Sequence, residues 1–138
     1  MKKTILTVLA FMIVSFGVQG LSHFVINVDH FATITFVRAD PVLPMGFAAM
    51  IIQALVFSFV MSRLWPDGAT IRQGLAVSAC FGLFLASYIV LAEPAKYAAP
   101  SIPAWVMVEG IASLIQFSVF GMLLGLIYRN EAASPSAV

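Results

Sequence analysis

The sequence predicts an all-α protein whose four helices cross a membrane as a bundle. Hydrophobic residues make up 62% of the 138-residue chain and charged residues only 9%, whereas a soluble domain carries roughly 25% charged residues. The mean hydropathy is +1.04. Four apolar runs are each long enough to cross a bilayer, which takes about 20 helical residues. They predict one transmembrane domain, residues 1–129, followed by a short polar tail, residues 130–138.

The first predicted span covers residues 4–26. Its polar residues recur at helical spacings, which places them on one face towards the far end of the helix. These residues are Ser15, Gln19, Ser22 and His23. A pair of lysines before an apolar run is also typical of a bacterial signal peptide, with a potential cleavage site after Gly20. We favour an uncleaved span because the apolar character continues through Val28.

Residues 27–44 are too few and too polar to cross a bilayer. We interpret them as an interfacial segment over the mouth of the bundle, and their periodicity does not decide between a strand and a short helix. The second span follows at residues 45–64, with Gln53 near its middle. The sequence Trp-Pro-Asp-Gly at residues 65–68 then has the residue types of a tight turn.

The third and fourth spans carry two patterns of small residues. The third span, residues 70–92, has a small residue at every fourth position: Gly74, Ser78, Gly82 and Ala86. Ser101 and Pro103 indicate the start of the fourth span, residues 103–128, which contains a GxxxG step at Gly121 and Gly125. Such patterns allow close helix–helix approach. We expect one of these seams to pack inside the bundle and the other to remain for a partner.

A single carboxylate, Glu109, lies inside the fourth span, and Ser113 and Gln116 follow it on the same helix face. Polar groups at membrane depth are costly and usually face the bundle interior. The candidate polar core consists of Glu109, His23, Gln19, Tyr88, Gln53 and Gln116. We expect Glu109 to pair with His23 across the bundle, with Tyr88 as the second choice. These groups can equally serve only to fix the packing of the helices; we give this structural interpretation at least as much weight as all functional interpretations together.

Composition and motifs argue against several classes of function. A net charge of +1 provides no basic patch for nucleic acid. The single cysteine, Cys80, excludes an intrachain disulfide and a cysteine metal cluster. Both histidines lie on or just after the first span, so they do not supply the facing ligands of a bis-histidine haem. A metal held by His23 and Glu109 has suitable ligand types but no spacing motif.

The sequence contains no GxSxG, no HExxH and no paired aspartates. We therefore predict no catalytic residue, no metal and no cofactor. A transport path is also incomplete, because no charged residue falls in the cytoplasmic half of the predicted bundle interior.

Basic residues predict the orientation. With four spans, the side that holds both termini carries five Lys or Arg residues, and the other side carries two. The positive-inside rule therefore places both termini in the cytoplasm.

An internal echo is consistent with two tandem helical hairpins. Phe16-Gly17 recurs as Phe81-Gly82, and Ile52-Gln53 recurs as Ile115-Gln116. A parallel repeat of this kind would place Gln53 and Gln116 at matching depths.

Two stretches carry a family resemblance: SYIVLAEPAKYAAPSIPAWVMVE at residues 87–109 and IQFSVFGMLLGLIYR at residues 115–129. Together with the HF near the end of span one and the GL at the start of span three, they resemble a group of small, uncharacterised four-span bacterial membrane proteins. The resemblance covers most of the chain. It implies four spans and a bacterial inner membrane, and it transfers no functional residue.

The expected function is therefore non-enzymatic. We expect an accessory or scaffold subunit of a larger membrane complex or homo-oligomer, in contact with the lipid bilayer and with other membrane subunits or copies of itself. The alternative is a small transporter, or a ligand- or metal-binding membrane protein, with a polar site in the outer half of the bundle.

Overall fold

The computed structural model describes residues 1–36, 38 and 40–130, and all regular secondary structure in these residues is helical. The helices are α1 (Lys2–Leu21), α2 (Val28–Ala32), α3 (Leu43–Leu64), α4 (Ile71–Ser87), α5 (Glu93–Lys96) and α6 (Ile102–Ile127). Two π-helical turns, Ser22–Ile26 and Tyr88–Ala92, extend α1 and α4. The predicted all-α class is confirmed.

Four continuous helical stretches are long and apolar enough to cross a membrane: Lys2–Ile26, Leu43–Leu64, Ile71–Lys96 and Ile102–Ile127. The chain is a multi-pass membrane protein. The third stretch differs most from its predicted span, residues 70–92, since it continues past Pro94 to Lys96. Pro94 stands in the first turn of α5, directly after the second π-helical turn.

The helices form two antiparallel hairpins, α1 with α3 and α4 with α6, joined by a contact between α1 and α6. Helix α6 is the most enclosed. In its apolar 18-residue segment 44% of the residues are buried, against 17–22% in the corresponding segments of the other three stretches. Helices α3 and α4 make few contacts with each other. We call this weakly packed side of the bundle the α3–α4 side.

Hydrogen bonds at the predicted helix starts explain where α4 and α6 begin. Thr70 and Gln73 form a reciprocal capping box at the start of α4. Ser101 Oγ accepts a hydrogen bond from the N–H of Ala104 at the start of α6. Between α3 and α4, the N–H of Gly68 donates to the carbonyl oxygen of Trp65, 3.2 Å away. The φ of Gly68 is 122°, a conformation that favours glycine.

The two small-residue patterns face each other across α4 and α6. A Cβ atom on Gly74 would meet the backbone of Gly125, and one on Gly121 would lie 2.9 Å from Cβ of Ser78. Ser78 Oγ donates to the carbonyl oxygen of Phe117, 2.6 Å away. The expectation that one seam remains for a partner is therefore wrong, because each pattern supplies the close approach that the other requires.

The rest of the third-span pattern lies further along the same interface. Gly82 packs on the ring of Phe117. Ala86 is half-buried and borders a groove between α4 and α6, together with Gly110 and Ser113.

A layer of phenylalanine rings fills the middle of the bundle. Phe11, Phe57 and Phe120 are at most 1% exposed. Their ring centroids are 4.8 Å apart for Phe11 and Phe120, 4.9 Å for Phe57 and Phe120, and 5.5 Å for Phe11 and Phe57. We call these three residues the aromatic layer. It separates polar groups in the half of the bundle away from the termini, which we call the outer half, from a second polar cluster near the termini.

The segment between α1 and α3 covers the outer end of the bundle, as predicted. It contains the short helix α2, and Ile34 beyond it is buried. The ring of Phe36 contacts Trp105 at the start of α6. Val37, Ala39 and residues 131–138 of the predicted tail lie outside the described part of the chain.

Candidate functional site

The outer polar layer is built on Gln116, which is 7% exposed and connects α6 to α1. Gln19 Nε2 donates to Gln116 Oε1 at 2.9 Å, and Gln116 Nε2 donates to Ser15 Oγ at 2.9 Å. Both ends of the buried amide are therefore bonded to α1. Because a buried amide without partners is costly, this arrangement fixes the relative position of the two helices.

His23 does not pair with Glu109. It lies in the first π-helical turn, and its Nδ1–H donates to the carbonyl oxygen of Gln19, 2.9 Å away. Its ring stacks on Phe31 of α2 with a centroid distance of 3.6 Å. The expected contact between His23 and Glu109 is wrong because a closer acceptor, one turn earlier in the same helix, takes the imidazole N–H.

Glu109 is 6% exposed, and its carboxyl makes no hydrogen bond to any described residue. Ser113 and Gln116, on the same face of α6, are also buried. Glu93 in α5 lies within Coulombic range of Glu109. No described Lys, Arg or His forms an ion pair with either carboxyl group, although Lys96 lies within Coulombic range of Glu93.

Tyr88, the second-choice partner of Glu109, points elsewhere. It is 50% exposed, and its hydroxyl accepts a hydrogen bond from Lys96 Nζ at 2.7 Å. This pair places a tyrosine and a lysine at the outer end of α4, where polar tips meet the membrane–water interface.

Trp105 is part of the site, although a tryptophan at the end of a span is typical of an interfacial anchor. It is 5% exposed, and its indole N–H donates to the carbonyl oxygen of Ile89, 2.9 Å away, in the second π-helical turn. Single π-helical turns are frequent at functional sites. Both π-helical turns of this chain lie at the outer end of the bundle.

Aromatic rings cover the outer end. Phe36 stacks on Tyr97 with a centroid distance of 5.1 Å and contacts Trp105 at 6.0 Å. We call Phe36, Tyr97 and Trp105 the aromatic lid. The ring of His30 lies 6.5 Å from that of Trp105, and its Nε2 is buried without a hydrogen-bond partner among the described residues.

Gln53 is the one candidate on α3, and the structure brings it to none of the others. It lies midway along α3, is half-buried, and makes no hydrogen bond to a described residue. It precedes Phe57 by one helical turn and so shares its face. Phe57 contacts Phe81 of α4 with a centroid distance of 5.2 Å, which places Gln53 on the α3–α4 side.

A second polar cluster near the termini was not predicted. Tyr128 is 2% exposed, and its hydroxyl lies 2.8 Å from Ser58 Oγ. Ser58 Oγ donates in turn to Thr4 Oγ1 at 3.0 Å. The sequence contained a signal for this cluster, since Ser58 and Ser62 are four residues apart on α3. Tyr128 itself carries no such signal, because a tyrosine at the end of a span is typical of an interfacial anchor.

Comparisons with known proteins do not assign this chain to a family. A scan against protein-family models and searches of curated proteins and solved structures find no match to this chain. The described residues contain no group of three or more His, Cys, Asp or Glu side chains that could hold a metal ion. The chemistry of the site must therefore be argued from Glu109, Gln53 and their surroundings.

Proposed function

We propose that this protein is a non-enzymatic accessory or scaffold subunit that associates with other copies of itself in the membrane through its α3–α4 side. The single observation that carries the proposal is Gln53. Of the four glutamines in the chain, Gln19, Gln116 and Gln73 are hydrogen-bonded within the protein. Gln53 has no partner among the described residues, although it lies at the depth of the hydrocarbon.

An amide in hydrocarbon without a hydrogen bond is costly. A neighbouring transmembrane helix relieves this cost by bonding to the amide, which is how polar side chains stabilise helix association in membranes. The α3–α4 side is the least packed side of the bundle, so a further helix has space there. The small-residue seams cannot serve this purpose because they are consumed between α4 and α6.

A second copy of the chain is the simplest occupant of this side. An amide both donates and accepts hydrogen bonds, so two Gln53 side chains related by a two-fold axis satisfy each other, as an isologous interface requires. Larger complexes then assemble around the dimer, which carries almost no mass outside the membrane.

The competing function is transport through the bundle, and the aromatic layer argues against it. Phe11, Phe57 and Phe120 are buried and in mutual contact at mid-depth. An ion that passed them would lose its hydration without gaining any polar ligand. The alternative of a ligand site confined to the outer half is compatible with this layer.

We further propose that the protein resides in a bacterial inner membrane with both termini in the cytoplasm. The excess of basic residues on the side of the termini supports the orientation. The resemblance to four-span bacterial proteins supports the compartment.

The test is the dimer fraction of fluorescently labelled protein in lipid vesicles, measured by energy transfer across a range of protein-to-lipid ratios. We expect Gln53→Leu to raise the dissociation constant about threefold or more, since interhelical hydrogen bonds in membranes contribute about 0.6–1.7 kcal/mol. Ile52→Leu is the matched control, because Ile52 neighbours Gln53 and is 63% exposed. A parent protein that stays monomeric at every ratio, or an unchanged Gln53→Leu dimer, contradicts the proposal.

A further inference from the structure

A cleft with a basic lining opens at the end of the bundle that holds both termini. Its volume is about 580 Å³, within the range of about 300–1,000 Å³ that is usual for small-molecule sites. Residues 68–72, at the start of α4, form one wall, and Arg129 and Asn130, after α6, form the other. Two of these seven residues are arginines and none is acidic, so we call this feature the basic cleft.

Main-chain contacts hold the two walls of the basic cleft together. The N–H of Ala69 donates to the carbonyl oxygen of Tyr128, 2.8 Å away. One turn earlier in α6, Gly125 lies against the backbone of Ile71 with no space for a Cβ atom. The two arginines are therefore brought to the same cleft by the close packing of α4 on α6, and this arrangement does not require an attraction between their side chains.

The charge of the basic cleft is not balanced by the described residues. Arg72 and Arg129 are both exposed, and neither guanidinium group has a hydrogen-bond or ion-pair partner among the described residues. Asp67, the one described acidic residue at this end, does not line the cleft. In the sequence, this end carries five Lys or Arg residues against two acidic ones, with Glu131 included. A group that complements the cleft is therefore an anion.

The depth and the walls of the basic cleft indicate which anion it fits. Helix α4 begins at Ile71 and helix α6 ends at Ile127, so the cleft lies where the membrane-crossing helices end, at the level of the lipid headgroups. Ile71 lines the cleft and is 40% exposed, which adds an apolar wall beside the arginines. A free phosphate ion would leave this apolar wall uncovered, whereas a phospholipid has both a phosphate and an apolar part.

We propose that the basic cleft binds the headgroup of an anionic phospholipid. Arg72 and Arg129 pair with the phosphate, whose geometry matches the planar guanidinium group, and Ile71 contacts the apolar part of the lipid. Basic pockets between transmembrane helices are known to bind anionic headgroups in this way. A zwitterionic headgroup binds more weakly because its own ammonium group is repelled by the arginines. The site lies within one protomer and does not depend on self-association through Gln53.

The test compares two lipids that differ only in the headgroup. The monomeric protein in detergent is titrated with dioleoylphosphatidylglycerol and, separately, with dioleoylphosphatidylcholine, and native mass spectrometry measures the bound fraction. We expect phosphatidylglycerol to bind about tenfold more tightly or better, because each basic residue near the membrane surface strengthens the attraction of anionic lipid. Equal affinity for the two lipids overturns the proposal, and this comparison requires no variant to fold.

Two pairs of substitutions locate the binding. Arg72→Gln combined with Arg129→Gln should abolish the preference for phosphatidylglycerol. The matched control is Lys2→Gln combined with Arg63→Gln, which removes the same charge at the same end of the bundle but outside the cleft, and it should keep most of the preference. An equal loss in both pairs overturns the proposal, because it would show unspecific attraction to the whole basic end.

Inorganic phosphate distinguishes a lipid site from a site for a free anion. Phosphate in excess should not displace phosphatidylglycerol, because it makes no contact with the apolar wall at Ile71. Displacement of the lipid by inorganic phosphate would overturn the assignment to a lipid headgroup.

Discussion

Gly74 of α4 lies against Gly125 of α6 with no space for a Cβ atom between the two backbones. The contact is between main chains, which cannot rotate away as a side chain can. Gly74→Ala should therefore force the helices apart and lower the free energy of unfolding by about 1–3 kcal/mol. Thermal unfolding in detergent, followed by circular dichroism, measures the loss.

Two other glycines provide controls for this prediction. Gly110→Ala lies in the same helix pair, and nothing approaches its Cβ position within 4 Å, so its stability should be unchanged or slightly higher through helix propensity. Gly82→Ala meets only the ring of Phe117, and its effect should fall between the two. If Gly74→Ala unfolds at the same temperature as Gly110→Ala, the seam between α4 and α6 is misplaced.

Gln116 should be the glutamine on which the fold depends. Gln116→Leu removes the acceptor of Gln19 and the donor to Ser15, and leaving such groups unpaired costs about 1–3 kcal/mol. Chemical unfolding of Gln116→Leu, Gln19→Leu and the double variant completes a double-mutant cycle. We expect a coupling energy of about 0.5–3 kcal/mol. Gln53→Leu, measured under monomeric conditions, is the control and should be neutral; additive effects in the cycle would rule out the hydrogen bond.

The hydroxyl of Tyr128 should stabilise the end of the bundle that holds both termini. It lies 2.8 Å from Ser58 Oγ, and Tyr128→Phe removes it without changing the ring. We expect a loss of about 1 kcal/mol in the free energy of unfolding, and a further loss when Ser58→Ala is combined with it, because Ser58→Ala also removes the hydrogen bond to Thr4. Tyr97→Phe, at an exposed tyrosine, is the control. A Tyr128→Phe protein as stable as the parent would show that the cluster forms no effective hydrogen bond.

The sequence was sufficient to predict the fold class and the approximate spans, because long apolar runs in a chain with few charges leave few alternatives to membrane helices. It placed Gln116 in the bundle interior correctly, since Glu109, Ser113 and Gln116 share one helix face. It did not predict that Gln116 bonds to Gln19 rather than Gln53, because the rotation of one helix about another has no signature in a single sequence. The π-helical turn that moves His23 towards the carbonyl of Gln19 also has no such signature.

The proposed topology rests on the distribution of basic residues and on the packing of α1. Reporter fusions at residue 138 and within residues 66–69 should indicate the cytoplasm, and fusions within residues 95–100 should indicate the outside. Phe11 and Thr7 of α1 are fully buried against the rest of the bundle, which supports retention of the first span. A C-terminal fusion that reports the outside would indicate an odd number of spans, as results from cleavage after Gly20.

Glu109 provides the sharpest separation of a structural role from a functional one. If its carboxyl held the bundle together, as the sequence alone suggested, Glu109→Leu would leave a partner unpaired and lower the free energy of unfolding by about 1–3 kcal/mol. In the structure Glu109 is 6% exposed, and its carboxyl bonds to no described residue. Replacing it with leucine removes the cost of burying a polar group, about 1–3 kcal/mol. We therefore expect Glu109→Leu to be as stable as the parent or more stable.

Glu109→Gln is the matched control, since the amide keeps the size and the burial cost of a polar side chain, and its stability should stay close to that of the parent. Chemical unfolding of the three proteins in the same detergent measures the order. A residue that reduces stability where it stands is characteristic of a functional site, so a more stable Glu109→Leu protein would favour a functional role of Glu109 over a structural one. A Glu109→Leu protein less stable than the parent by 1 kcal/mol or more, roughly the contribution of one hydrogen bond, would return Glu109 to the polar core.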